Sequence, residues 1–408
     1  MAPPWRSMFQ GEKADASKLE HSLDLPTPGR GASLPTLGER ATGKRADLDG
    51  WRKFFDGKDV LDALQSYDGV LKEITDAARL PHSRFPLAYE KGFEMTLPHL
   101  SPMRKAAKLY ALRAWAKFHA GQTDSALADL QTIFRLDGSI RDEPMLISQL
   151  VRMAICQQAL QPLWEGLADH RWSEPQLATL QNELARIDFL GAMLVAFHGE
   201  RAGLNVTMQR VIGDPALLRQ LLNMGIEPAS AGQNSVAWHL IPSGWIYMNM
   251  LVANRYYEST LFPTMQPEAH RVAPLDEKSS QSFTGEGLAT FNPYTVLARL
   301  ALPALSTTVT RAAYTQTSTD EALIACALER FRLANGHYPD TLQALAPAFL
   351  QKFPCDVMTG EPLRYRVKED GSFLLYSVGS DGTDDGGKVM LKPAGNVDIS
   401  KGDWVWSQ

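Results

Sequence analysis

The residues whose types and spacing can do chemistry lie near the end of the chain, in Tyr376-Ser377-Val378-Gly379-Ser380-Asp381-Gly382-Thr383-Asp384-Asp385-Gly386-Gly387. Three carboxylates and four glycines crowd into a loop directly behind a short apolar strand. Carboxylates at that density repel one another unless a cation or solvent separates them. Glycine accepts positive φ, so backbone carbonyls can turn inward. Hard side-chain oxygens together with free carbonyls suit a calcium ion. Asp381, Thr383, Asp385 and Gly386 also copy positions 1, 3, 5 and 6 of an EF-hand loop. Position 12, where a bidentate Glu belongs, is Lys392, whose charge repels the ion, so a full EF-hand is rejected. A solvated acidic turn without metal is the plain alternative.

No catalytic motif accompanies this loop. The chain has no HExxH, no GxSxG and no Walker loop. His198-Gly199-Glu200-Arg201 contains an HxE but lacks the CxxC that a zinc deaminase adds. Glu200 or Arg201 is expected in a structural ion pair, because the stretch is helical and follows apolar residues. His337, before Tyr338-Pro339, is read as structural. Asp403-Trp404-Val405-Trp406 puts two indoles on one face of an extended segment, which suits core or sheet-edge packing better than a binding patch. Cys156, Cys326 and Cys355 are far apart and odd in number, which argues against a disulfide framework or zinc cluster. They read as small buried apolar side chains.

The elements that must position these residues occupy a chain of 408 residues, 44% hydrophobic and 21% charged. That length predicts two or three units. The net charge is −5 and basic residues form no run, so no nucleic-acid partner is expected. No apolar window is long enough for a membrane span, and the N-terminus lacks the apolar core of a signal peptide. Residues 1–48 are rich in Pro, Gly, Ser, Lys and Glu and are expected to be disordered. Residues 50–275 read as an array of α-helical hairpins. From Arg104 to Asp137, Leu109, Leu112, Trp115, Ala116 and Phe118 form one apolar stripe. Gly121-Gln122-Thr123 breaks it, and Ala126, Leu127, Leu130, Ile133 and Phe134 resume it. The small residues Ala114 and Ala126 resemble those of a tetratricopeptide repeat, over one repeat only. Ile147 to Leu163 is apolar on nearly all sides and is expected to be central. Ser173-Glu174-Pro175-Gln176 predicts a helix start, with Leu177, Leu180, Leu184 and Ile187 on one face. Met193 to Ala202 continues helical. Trp238, Trp245, Tyr247, Tyr256 and Tyr257 are expected to fill a core or interface. Proline and polar residues mark 276–292 as a linker.

Residues 293–408 change pattern. A long helix is predicted from about Val296 to Ala334, stopped by Asn335-Gly336, with Ile324, Leu328 and Phe331 on one face. A short helix follows, with Asp340 as N-cap, Gln343 at the capping-box position and Leu342, Leu345 and Phe349 facing inward. Leu363, Tyr365 and Val367 alternate with Arg364, Arg366 and Lys368, the period of a half-buried strand. Asp370-Gly371 is the turn into a partner strand, Phe373 to Val378.

Three segments in this order carry a resemblance: Ala327 to Pro339, Tyr376 to Gly382, and Asp398-Ile399 with the later Trp404. Together they resemble the globular head of type II secretion major pseudopilins, the G-type pseudopilins, over about residues 320–408. The whole chain is also similar to planctomycete and verrucomicrobial proteins that join a helical region to such a head. The expected fold is therefore an α-helical hairpin array, tetratricopeptide-like at best, followed by a small α+β pseudopilin-like unit. The resemblance implies a calcium ion that orders the C-terminal region. Its implied ligands are Asp381, Asp398 and the backbone oxygens of Val378 and Ser380. The first Asp of the family's Asp-Asp-Ile motif is Val397 here and the loop is longer, so either Asp384 or Asp385 substitutes or the site is lost. The apolar helix that anchors pseudopilins has as its counterpart Leu297 to Ala313, which carries Arg299 and Arg311 and is too short to span a bilayer.

The function expected on these grounds is non-enzymatic: a binding or scaffold protein of the bacterial cell envelope, associated with secretion. Its helical unit would meet a protein or peptide partner. Millimolar extracellular calcium would fill a weak site where cytosolic calcium would not, which favours an extracytoplasmic location over a cytoplasmic one. The alternatives are a hydrolase with a cleft between helical unit and head, using His198, Glu200 or loop carboxylates, and a type II secretion subunit whose anchor lies outside this sequence.

Overall fold

The computed structural model describes residues 57–214, 217, 242–273, 294–295, 298, 303–393 and 397–407. Segment 1–48, Trp238, linker 276–292 and the expected helix start at Val296 lie outside the described residues. Within them the chain is mostly helical, with a small antiparallel sheet near its C-terminus.

The first helices are α1 (Gly57–Leu64) and α2 (Asp68–Ala78). The expected hairpin follows as α3 (Leu100–His119) and α4 (Thr123–Ser139), joined through Gly121 at φ 75°. Ala114 and Ala126 are both buried, and the two helices pack against each other. Helix α5 (Leu146–Ala168) is central, as its all-round apolar pattern requires, with Ile155, Cys156, Ala159, Leu160 and Leu163 fully buried. Helix α6 (Glu174–Leu184) opens on the capping box of Ser173 and Gln176. Helix α7 (Phe189–Gly213) is capped by Asp188, which accepts the Gly191 N–H at 2.8 Å. Helix α8 (Ser243–Tyr256) leads through a π-turn to a hairpin of β1 (Met265–Gln266) and β2 (Arg271–Val272).

Helix α9 (Pro303–Asn335) ends at Gly336, which takes φ 81°. It packs against α5, α6 and α7 as well as the sheet, so one apolar core runs from Val60 to Trp406. The turn after α9 corrects one expectation. Leu342–Leu345 is a single 3-10 turn with Thr341, not Asp340, at its N-cap and no side-chain capping bond. Four residues closed by i→i+3 bonds are too short for a capping box to act.

The sheet has the order β3 (Arg364–Val367), β4 (Phe373–Ser377), β7 (Trp404–Ser407), all antiparallel. Tyr365 pairs with Leu375, and Gly371 makes the turn at φ 80°. Leu363 is buried and Arg364 and Arg366 are exposed, as alternation predicts, but Val367 at the strand end is exposed. Strand β4 is buried at all five positions because both its faces are covered. A second pair, β5 (Val389–Leu391) and β6 (Val397–Gly402), lies beside it. Trp404 and Trp406 are buried, as expected of packing residues. The Trp164 indole of α5 donates to the Ser407 carbonyl at 2.8 Å, and Tyr314 of α9 meets Trp404 edge-on.

A buried ion pair joins three helices at the core's edge. Arg152 of α5 donates to Asp137 of α4 at 3.0 Å, lies over the Phe189 ring of α7 and reaches the Asp188 carbonyl at 3.3 Å. Burial pushes the Asp137 carboxyl up to about 6, outweighing the Arg152 charge that holds it down. Asp137→Ala leaves a buried guanidinium without a counter-ion. Urea unfolding should show a loss of about 3–5 kcal/mol. The double replacement by well-packed apolar residues should regain most of it.

Candidate functional site

The acidic loop begins where β4 ends. Gly379 takes φ 69°, and a Cβ there would lie 2.2 Å from the Gly402 carbonyl. Only glycine lets this turn press against the end of β6. The turn is fixed from both sides. The Val378 N–H donates to the buried Asp356 at 3.2 Å, and the Ser380 hydroxyl donates to the Ile399 carbonyl of β6 at 2.9 Å.

Each expected metal ligand has a place in this arrangement. Asp381 accepts the Thr383 N–H at 3.1 Å and the Gly402 N–H at 2.9 Å, one on each oxygen. Asp384 accepts the Tyr376 hydroxyl at 3.1 Å and the Gly386 N–H at 3.0 Å, with Arg364 at 3.6 Å. Asp385 is exposed. Asp398 accepts both the backbone N–H and the hydroxyl of Ser400, at 3.1 and 2.6 Å. Those bonds, with Lys392 and Lys401 nearby, hold its carboxyl below the usual range. The structure thus seats the turn at Val378, Ser380 and Asp381 beside the strand of Asp398. It does not converge the carboxylates. Among the described residues, no group of three or more His, Cys, Asp or Glu is placed to hold a metal ion. As the side chains stand, the fit to calcium is poor.

The carboxylate that organises the loop was not singled out from the sequence. Asp403 is buried between β6 and β7, and it accepts three backbone N–H groups. They come from Gly387 at 2.6 Å, Lys388 at 3.2 Å and Asp385 at 3.4 Å. Burial raises its carboxyl pKa against the pull of these bonds. So pinned, the loop lies over the outer face of the sheet. Leu374, Tyr376 and Val405 form a small apolar cluster there. Gly387, at φ 84°, sits so close that a Cβ would be 2.5 Å from the Leu374 methyl. The one sequence signal for Asp403 is an acid set between a glycine and a buried indole strand.

The candidate catalytic residues are spent on structure. The Glu200 carboxylate accepts the Leu146 N–H at 2.8 Å, capping α5, and burial raises its pKa. Gly199 lies against the Pro144 carbonyl, where a Cβ would come within 1.6 Å. His198 stacks on Phe262 at 4.0 Å, and Arg201 pairs with Glu258 at 3.0 Å. The ion pair expected at Glu200 or Arg201 therefore forms at Arg201. His337 donates locally to the Tyr338 carbonyl through Nδ1 at 2.8 Å.

In comparisons with known proteins, no family model, no curated protein and no solved structure matches this chain.

Asp403→Ala strands three N–H groups against an apolar surface. Amide exchange at Gly387 and Lys388 should accelerate at least about tenfold, with about 2–3 kcal/mol lost in denaturant unfolding. Asp384→Ala, at a half-exposed pair, should cost under about 1 kcal/mol.

Proposed function

We propose that this chain is a non-enzymatic binding or scaffold protein of the bacterial cell envelope, linked to secretion, whose helical hairpins present a surface to a protein or peptide partner. The observation that carries this reading is the outer face of α8. Tyr247, Met248 and Leu251 share one side of the helix and are 56%, 42% and 41% exposed. Trp245 meets Tyr294 edge-on at its margin, 6.0 Å between ring centres. Aromatic residues and Met are enriched where proteins meet. The neighbouring Tyr256 and Tyr257 are buried, as expected of packing residues, whereas Tyr247, expected to fill a core or interface with them, is exposed on the turn of helix that faces away.

The likeness to a pseudopilin head belongs to the same proposal. It is supported by the order of long helix, short turn and antiparallel sheet. It is supported too by the Ser380–Ile399 bond that joins the two matching segments. The tetratricopeptide likeness rests on the buried Ala114 and Ala126. Calcium enters through Asp381 and Asp398, the carbonyls of Val378 and Ser380, and Asp384 or Asp385. Both Asp381 and Asp398 would have to turn from the donors they now hold, so the site would be weak, of the kind filled only at millimolar calcium.

Two measurements test this reading. A photo-crosslinking residue at Tyr247 should trap one defined partner in cells, and Leu251→Asp should abolish the adduct. Absence of an adduct, or an adduct indifferent to Leu251→Asp, overturns the binding surface. Thermal unfolding in about 1 mM calcium, against EDTA, should show a raised midpoint that Asp381→Ala removes. An unmoved midpoint removes calcium and the physical case for an extracytoplasmic site, and leaves the crosslinking result standing on its own.

A further inference from the structure

Among the described residues, the non-glycine positions with positive φ are both histidines: His170 at φ 52° and His270 at φ 49°. Each turns its ring onto a buried carboxylate of the same helix, α9. His170 Nδ1 lies 3.0 Å from Glu329, and His270 Nε2 lies 2.7 Å from Asp320. A backbone held in this sparsely populated region persists where its surroundings over-determine it.

The two contacts differ in what else neutralises the acid. Glu329 also takes a two-pronged bond from Arg332, at 2.9 and 2.7 Å, and the Tyr338 hydroxyl at 2.7 Å. Its counter-charge is permanent. Asp320 takes a neutral amide from Gln316 at 3.0 Å, and Gln316 in turn accepts the Phe189 N–H at 2.8 Å. Among the described residues, His270 is the cation in ion-pair contact with Asp320. Asp188 and Lys352 act on His270 only through their field, and Glu268 and Arg271 flank it in the hairpin.

His270 stands in the connection between β1 and β2. Met265 pairs with Val272, and the Ala273 N–H closes the base on the Thr264 carbonyl at 2.9 Å. The Val272 N–H donates at 2.7 Å to the Val357 carbonyl, in the segment that leads to β3. The hairpin therefore bridges α9 and the approach to the sheet, and His270–Asp320 is its charged fastening.

We propose that the His270–Asp320 pair is a proton-operated latch: with its proton, the pair clamps the β1–β2 hairpin onto α9 and Val357, and without it the hairpin releases both. The chemistry is one of charge. Loss of the proton leaves a buried carboxylate with no counter-cation, and opening the hairpin lets water reach it. The hydrogen bond to Asp320 holds His270 above its ordinary range, assisted by the Asp320 charge and opposed by burial. Burial likewise raises Asp320, so the pair as a unit keeps a proton that the unfolded chain releases above about pH 6.5. The clamp is at full strength below about pH 6.5 and weakens as pH rises through the folded value. At Glu329 the Arg332 counter-charge is present across the same range.

Hydrogen exchange of the full chain, corrected for intrinsic rates, reads the latch between about pH 5.5 and about pH 8.5, on either side of the ordinary histidine value. Protection of the Val272 and Ala273 amides should fall about tenfold or more across that range. His270→Gln should make protection independent of pH, and His170→Gln should keep the wild-type profile. Asp320→Asn, which keeps the packing but removes the carboxylate, should abolish the fall in protection at high pH. Protection that is flat in the wild type, or a wild-type profile in His270→Gln or Asp320→Asn, overturns the proposal. So does an equal loss of dependence in His170→Gln.

Discussion

A helix buried on nearly every side must satisfy its polar side chains without bulk water, and α9 sets that demand in its sharpest form. Thr315, Gln316, Thr317, Ser318, Thr319, Asp320 and Glu321 follow one another, and all seven are buried. An apolar helix could have filled the same space with less constraint. Thr315 and Thr319 turn back to carbonyls one turn earlier, Arg311 and Thr315, at 2.9 and 2.8 Å. Gln316 and Asp320 instead require α7 and the β1–β2 hairpin to arrive with donors of the right kind. The position of α9 is thus set by polar matching as much as by its apolar face. Polar groups that fit only one arrangement add to the specificity of packing even where they add little stability.

The C-terminal sheet meets a related constraint. Its inner face packs Phe373, Leu375, Trp404 and Trp406 into the main core, while its outer face carries the separate cluster of Leu374, Tyr376 and Val405. An uncovered outer face would leave a central strand wet on one side and apolar on both. The glycine-rich loop closes that face, and glycine is required because the backbone itself must touch Leu374. A loop without side chains to bury has little apolar hold of its own. Its hold comes from Asp403, Asp381 and Ser380, each reaching across from or to β6 and β7.

Local rules were enough for much of this. The α3–α4 hairpin follows from the apolar stripe broken at Gly121, and α6 from the Ser173–Gln176 box. The β3–β4 hairpin follows from Asp370-Gly371 between alternating residues. What periodicity could not give was partnership. The stripe of Ile324 and Leu328 announces a buried face but not that α5, α6 and α7 cover it. The same limit applied at the loop. Asp381, Asp384 and Asp385 are visible as a cluster because they are neighbours in sequence. Asp403 stands apart, and its role appears only when the N–H groups of Asp385, Gly387 and Lys388 fold back onto it. A carboxylate facing backbone donors leaves no spacing signature.

Among the described residues, buried and half-buried acids are neutralised by partners of different kinds. Asp137, Asp129 and Glu329 face arginine or lysine, whose charge does not change near neutral pH. Asp403, Asp356 and the half-buried Glu200 face backbone N–H groups, which are dipoles fixed by the fold. Asp320 belongs to neither class. Glu143 and Glu165 also face histidines, His99 and His119. The partners of Asp320 are an amide and a histidine, so its compensation varies with proton activity, as that from arginine, lysine or backbone N–H does not. A fold that already holds buried acids with permanent partners has the means to do so again. The use of a titratable partner on α9, at a histidine whose backbone is itself held at positive φ, therefore marks this junction as a place where the environment can act on the structure.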